Sequence, residues 1–487
     1  MGRGKEEVSV IIRRQPEKNN NDLSLTAEKT IFIRRGGLVM KKDRTLNIKQ
    51  RITPIVVSMA LILTACGNTS TDKKQKTDKT SQLSSHSELV NLAEGIEKKE
   101  FTTQNPSSIH SNALTDSAIN LLAKTVSLGA SPDDNYLISP LSLQMALGML
   151  AAGTDDESVT RKELTALLMP GIDTVPDEIN MDMAVLSENM RSDPDAEWNV
   201  VNSVWINKDG NVRLSDNYIS DVISCYQAEL YEIPFDDSSV GTINEWVKDN
   251  TKGRIQTILD NLDPPVSLVL LNAVAFDGEW MTEIATDHIR NNMDFTNADG
   301  STSKVTMLSS MECGYLQLAG GEGFLKFYKG GRYCFMALLP PEGITTEDYL
   351  NNILSGETTL YEAIQSRDYE PLLQVEFPEF KAEYSANMNE VVQSLGVNNI
   401  FDENAEFGRM ITEDSEHISV DLIEHKAMIE VDRKGTKAAA ATAVTATEAS
   451  IEEPEVINIS LNRPFVYGIV DMNSGIPVFL GVQNTMP

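Results

Sequence analysis

Apolar residues recur at helical spacing from Leu114 to Leu128, and Gly129 stops the run. Ser139-Pro140 then reads as a helix cap with proline in the first turn, leading into Leu141–Ala152 and a stop at Gly153. Trp198–Ile206 followed by Asp209-Gly210 reads as strand and turn, and Ile243–Asn250 as an amphipathic helix. Val266–Phe276, "VSLVLLNAVAF", is apolar almost throughout, the pattern of a strand buried on both faces. Phe324–Tyr328 and Tyr333–Leu339 flank Gly330-Gly331, a hairpin signal. Met388–Leu395 with Gly396 is a further helix and stop. His425–Asp432 alternates, as do Phe465–Val470 and Val478–Val482 around Asn473-Ser474-Gly475. Helices crowd the first half and strands the second, without βαβ units or internal repeats. The pattern predicts an α+β body with no obvious linker after about residue 110.

One stretch fits neither period. Residues 435–450, "GTKAAAATAVTATEAS", hold no charge, large side chain, Gly or Pro between Ala438 and Thr447. Alanine favours helix, while the interleaved threonines and valine favour strand. The connection between the strands around it is longer than the ~15 residues that structureless loops usually reach. It has the chemistry of a strand not yet paired, and an exposed segment of this kind is an aggregation hazard.

The beginning of the chain reads as targeting sequence. Met40 opens a basic stretch (Lys41, Lys42, Arg44, Lys49, Arg51), followed by the mostly apolar Ile52–Ala65, short for a membrane span. Leu63-Thr64-Ala65-Cys66-Gly67 resembles the bacterial lipoprotein box. That resemblance implies a signal peptide over 40–65, lipidation of Cys66 and an extracellular body anchored to the bacterial membrane or surface. Arg34-Arg35-Gly36-Gly37 could be encoded by a purine-rich run like a ribosome-binding sequence. Translation is therefore expected to start at Met40, with 1–39 an untranslated or artefactual extension. The polar 67–88 reads as flexible, and 66–110 is expected to be a flexible polar tether ahead of the folded domain at 111–487.

Charge narrows the partners. The full chain carries −31. Residues 1–65 hold 13 of the 41 Lys and Arg and 6 of the 72 Asp and Glu, so the remainder carries −38. Such a body repels nucleic acid and anionic membrane surfaces and would attract a basic partner. With Cys66 lipidated, Cys225, Cys313 and Cys334 are left, an odd number without metal-like spacing. Scattered buried thiols are the better reading than a disulfide framework.

Catalytic patterns are scarce. There is no G-x-S-x-G, no G-x-x-x-x-G-K-[ST] and no C-x-x-C. His417 and His425 each follow a Glu, but at no metal-ligand spacing, and read as structural imidazoles. An enzyme is the weaker class; no catalytic residue, metal or cofactor is expected.

Several pieces, in order, resemble the serpin family over about Asn112–Pro487. Ser139-Pro140-Leu141-Ser142 is similar to its S-P-x-S, and Asn272–Trp280 to its N-x-x-x-F-x-G-x-W. Leu338-Leu339-Pro340, Phe377-Pro378, Asn462-Arg463-Pro464-Phe465 and Phe479-Leu480-Gly481 match further pieces. His425-Lys426-Ala427 precedes Gly435-Thr436-Lys437-Ala438-Ala439-Ala440-Ala441-Thr442, which is close to the family's loop hinge.

The resemblance implies a large mixed central sheet with further sheets, packed helices and an exposed reactive loop at about 435–458. A serine protease would cleave the loop, form an acyl-enzyme, and be trapped as the loop enters the sheet as a new strand. Loop insertion of this kind is a known case of stored-strain release. With Thr436 inward, Ala438, Ala440, Thr442 and Val444 follow on the same face, all small or β-branched. The resemblance therefore implies an inhibitor, with a non-inhibitory binding protein of the same fold, or a surface hydrolase or solute-binding lipoprotein, as alternatives. Counting about fourteen residues from Thr436 ends at Ala449, a strand of about 46 Å, and puts the reactive bond at Ala449-Ser450. Glu448 is the rival site. Small residues there suit an elastase-like or subtilisin-like target. Ser139, Ser142, Asn272 and His425 align with the cluster that controls sheet opening, and Trp280 with the place where the loop first enters. A monomer is expected. Where the family usually has Glu two residues before the hinge Gly, this chain has Arg433, and its usual basic partner aligns with Lys304. Two like charges there would weaken the top of the sheet.

Overall fold

The computed structural model describes residues 9–11, 30–34, 37–39, 89–100, 104–131, 133–236, 238–262, 266–436 and 456–487. The chain divides into two units, Met1–Lys76 and Thr77–Pro487. In the first, β1 (Ser9–Ile11), β2 (Thr30–Arg34) and β3 (Gly37–Val39) form a small antiparallel sheet. Cys66 and the rest of the targeting reading, the polar 67–88, and the loop residues 437–455 lie outside the described residues.

The second unit opens with β4 (Val90–Asn91), α1 (Ser108–Ser127), β5 (Tyr136–Ile138), α2 (Pro140–Ala152), α3 (Val159–Leu168) and α4 (Pro176–Arg191). Next come β6 (Ala196–Asn207), α5 (Asp216–Cys225), β7 (Glu229–Ile233), α6 (Ser239–Asn250) and β8 (Leu268–Glu279). Then follow β9 (Ile289–Thr296), β10 (Thr302–Leu318), β11 (Gly321–Phe327), β12 (Tyr333–Leu339), α7 (Thr346–Ser355) and α8 (Leu360–Gln365). The chain closes with β13 (Leu372–Pro378), β14 (Phe380–Asn387), α9 (Asn389–Ser394), β15 (Leu422–Val431), β16 (Gly435–Thr436), β17 (Val456–Ser460), β18 (Phe465–Asp471) and β19 (Ile476–Gln483).

Two sheets carry this unit. The larger path runs β17-β13-β10-β11-β12-β18-β19-β5, with β9 on β10. The other runs β14-β15-β8-β6-β7-β4, with β16 on β8. Its centre is β8, which pairs antiparallel with β6 and parallel with β15. Alternate residues of β8 belong to different cores. Leu268, Leu270, Val274 and Phe276 join the main core, while Val269, Leu271 and Ala273 pack on the α6 side with Trp246 and Trp205. Both faces are covered, which is why the sequence there shows an apolar run rather than alternation. Helix α2 is buried along its whole length, as a helix without a polar face must be, and its first turn reaches β8.

The folded part begins earlier than expected. Within the predicted 66–110 tether, β4 pairs with β7 at the sheet edge, and Leu92, Ala93 and Ile96 pack on the main core. Helix α1 starts at Ser108, where the Ser107 hydroxyl accepts the His110 N–H. The thiol reading needs a similar correction: Cys225 and Cys334 are buried, but Cys313 is exposed.

Candidate functional site

The seam between β15 and β8 runs from Leu422↔Val269 to Met428↔Ala275. Beyond it the strands part. β15 ends at Val431, while β8 continues to Glu279. In the gap a tight turn, Asp432–Gly435, brings the chain back antiparallel to β8, with Gly435 opposite Glu279 and Thr436 opposite Gly278. The Asp432 carboxylate accepts the N–H groups of Lys434 (2.7 Å) and Gly435 (3.1 Å), and the Asp432 N–H donates to the Gly435 carbonyl. Gly435 sits at φ +146°, and a Cβ there would lie 2.1 Å from the Gly278 carbonyl oxygen. Backbone meets backbone at that point, so glycine is required.

The mouth is fixed by the residues just after β8. The Trp280 N–H donates to the Lys434 carbonyl (2.9 Å), its indole N–H to the Asp432 carbonyl (2.8 Å), and the Ile284 N–H to the Arg433 carbonyl (3.0 Å). The buried Trp280 ring stacks on Tyr328, centroids 4.5 Å apart. The expected like-charge contact between Arg433 and Lys304 is replaced by a different arrangement. Lys304 is paired with Asp294, its cross-strand partner. Near Arg433 stands the Glu379 carboxyl, whose pKa is raised by burial and by Asp432, against lowering by the Arg433 backbone and charge.

Halfway down the seam, a polar row crosses three strands. His425 of β15 is in register with Asn272 of β8, and Asn272 with Asn202 of β6. All are buried, as are Ser139 and Ser142 from the start of α2. The Ser139 backbone N–H can only donate, so its 3.0 Å contact makes His425 Nε2 the acceptor. Nδ1 therefore carries the proton and donates to Asn272 Oδ1 at 2.7 Å. The Asn272 amide donates to the Ser142 carbonyl (2.9 Å), the Ser142 hydroxyl and Asn202 Oδ1 (2.6 Å). Ser139, expected to cap α2 with its side chain, makes no such bond; its hydroxyl donates to the Val478 carbonyl at 2.7 Å. The structure thus brings Ser139, Ser142, Asn272 and His425 together and places Trp280 at the mouth. Asn202 was missed, although a lone Asn in "VVNSVW" was its signal. Of the loop residues, Gly435 and Thr436 are described; Lys437 to Thr442, Val444, Glu448, Ala449 and Ser450 are not.

Burial holds His425 neutral, with its pKa lowered to about 3. Its neighbour Glu424 points to the other face, where burial first and Asp260 second raise its pKa to about 7. The two act oppositely on stability. Below pH 6.5 the unfolded chain charges its histidine and the native chain does not, so His425 makes stability fall with falling pH. Between pH 4.5 and 7 the native chain keeps a proton on Glu424 that the unfolded chain has lost, so stability rises with falling pH. From pH 7 to 5 the two nearly cancel. Glu424→Gln should unmask the histidine and lose about 2 kcal/mol between pH 7 and 5, read by urea unfolding, while this pair leaves wild type nearly flat. Equal slopes in the two proteins would contradict this reading of the pair.

Fold and site together define a class: a sheet protein with a parallel seam between two long strands, and a loop hooked at its mouth. A family model described as "Serpin (serine protease inhibitor)" matches residues 112–485. The chain is 29% identical over 375 residues to Serpin-Z1C of Triticum aestivum, covering 74% of this chain and 92% of the relative. It is 29% identical over 388 residues to Antitrypsin of Bombyx mori, covering 76% and 94%. Among solved structures, the thermophilic serpin Tengpin in its native state is similar at a TM-score of 0.73 and 30% identity, covering 82% of this chain and 100% of that one. The latent state of Tengpin is similar at 0.65 and 27%, covering 79% and 100%. The chain belongs to the serpin family. Most members are inhibitors that bind target serine proteases, and the family is not one of catalysts; on that ground the hydrolase alternative is set aside.

Proposed function

We propose that this chain inhibits serine proteases by inserting its own cleaved loop into the sheet at the β15·β8 seam. The observation that carries this reading is the hinge: Gly435-Thr436 already pairs antiparallel with the end of β8. The seam below it is parallel, yet β15 and β8 each have an antiparallel neighbour on the far side. A strand continuing from Thr436 would replace one parallel pairing with two antiparallel ones, which are slightly more stable per residue. Continued register sets Ala438 opposite Phe276, Ala440 opposite Val274, Thr442 opposite Asn272, Val444 opposite Leu270 and Ala446 opposite Leu268. Residues directly opposite share a face, so the small and β-branched set would enter the main core. Splitting the seam must break the His425–Asn272 bond, which gives that cluster its proposed control over opening.

The reactive bond is read as Ala449-Ser450, with Glu448 as the rival, for an elastase-like or subtilisin-like protease. Incubation with an elastase-like protease should give a covalent complex that survives boiling in detergent. Loop cleavage without a complex would instead favour a non-inhibitory binding protein. Ala449→Arg should shift inhibition toward trypsin-like proteases, by more than about a hundredfold in the ratio of association rates, since a charge-selective pocket replaces a shallow one. Unchanged selectivity would move the scissile bond elsewhere. The segment around Cys66 supports a further reading, a lipid anchor holding the inhibitor outside a bacterial cell. Intact mass of the native protein, with or without a diacylglyceryl addition on Cys66, tests it.

A further inference from the structure

Behind the mouth lies a charge that loop entry alone does not require. Lys326 of β11 is 2% exposed. Its Nζ donates to Glu312 Oε1 at 2.6 Å, with the Thr282 carbonyl 3.5 Å away. It also lies 5.2 Å from the centroid of the Trp280 ring. Glu312 Oε1 accepts a second bond from the Ser310 hydroxyl at 2.7 Å. The buried ammonium is thus directed at a partly buried carboxylate, a carbonyl and the face of a buried indole.

Stability alone is a weak reason to keep such a pair. Exchanging a buried ion pair for well-packed apolar residues often leaves stability unchanged or higher. What the pair can supply is direction, because a desolvated cation over an indole fixes the ring. The two groups it holds besides Glu312, Trp280 and Thr282, lie in the segment that receives the hinge carbonyls 432, 433 and 434. The ammonium stands on one side of that segment, and its amide and indole donors reach the turn.

We propose that Lys326 and Glu312 form a buried ionic latch that positions Trp280 and the 280–284 segment, so holding the hinge turn docked before cleavage. Lys326 is a positioning residue, acting through Trp280. The latch rests on the proposed insertion mechanism for its consequence, but hinge docking can be read without any protease. The Trp280 and Ile284 amides donate to the hinge, so their hydrogen-exchange protection reports docking.

In Lys326→Met/Glu312→Met, protection of these two amides should fall about tenfold, the size expected from losing a desolvated cation–π contact. Trp280 emission should shift to the red, and at a temperature below melting the protein should pass to an inserted, non-inhibitory form faster. A melting temperature near that of wild type would show that docking, not folding, was lost. Glu312→Gln, isosteric and neutral, is the milder variant and should lower protection in the same direction. A control at the exposed pair, Lys304→Met/Asp294→Met, should change neither amide. Wild-type protection in both Glu312 variants would overturn the latch. If wild type forms no covalent complex while the variants still lose protection, the inhibitory reading fails and the latch stands.

Discussion

Thr436→Arg should turn an inhibitor into a substrate. Position 436 pairs with Gly278, on the β8 face that carries Phe276 and Val274 into the main core. There is no room for charge there: even a Cβ on Gly278 would lie 2.6 Å from the Phe276 ring and 3.1 Å from Tyr328. A guanidinium in that space costs several kcal/mol unless it is paired, so the substitution should undock the hinge of the uncut protein, and insertion must then carry the charge back in. In the proposed mechanism insertion races against hydrolysis of the acyl-enzyme, and each ~1.4 kcal/mol added to its barrier slows it tenfold. The covalent fraction at a fixed protease ratio should therefore drop by more than about a hundredfold. Loop cleavage itself should continue, because the scissile bond is read thirteen residues further on. Densitometry of complex against cleaved product checks it, and a retained complex would contradict the proposed register.

The second large effect is on stability. Continued register brings residues 436–446 alongside β8 from Gly278 to Leu268. Successive inserted residues can bond alternately to β8 and β15, while the β15·β8 bonds along the same length are given up. One pairing is gained net, and at about 1 kcal/mol per bond it roughly offsets the cost of ordering the loop, about 1–2 kcal/mol per residue. The core-facing side chains add to the pairing: burying Val444 contributes about 1.5–3 kcal/mol, and Ala438, Ala440 and Thr442 less. The expected rise of more than about 10 °C in melting temperature corresponds to a net gain on the order of 10 kcal/mol, the balance coming from strain released as the uncut body takes up its loop.

How much of this is visible in the sequence depends on whether the cause is local. Strand β8 was legible because both its faces are buried, and α2 because proline opens it and Gly153 ends it. The start of α1 was not, since its first turn, Ser108 to Ser111, is mostly polar and looks like linker. β16 and β17 are too short to show a period, so in the sequence the loop joins longer strands directly. Ser139, Ser142, Asn272 and His425 could be named from the resemblance. Their bonding could not, because it joins residues up to 339 positions apart. Lys326 was hidden for the same reason. A lysine in "FLKF" reads as a solvent-facing strand residue, and only Glu312 and Trp280, brought in from other parts of the chain, make a buried site for it.

The central claim is that the uncut protein is less stable than the same protein with its loop severed and taken into the sheet. The direct measurement is thermal unfolding before and after a single nick within 446–451, with hydrogen exchange across β8 and β15. A rise of more than about 10 °C, with new protection over residues 437–446, is the expected result. An unchanged melting temperature, with those residues still exchanging freely, would contradict it.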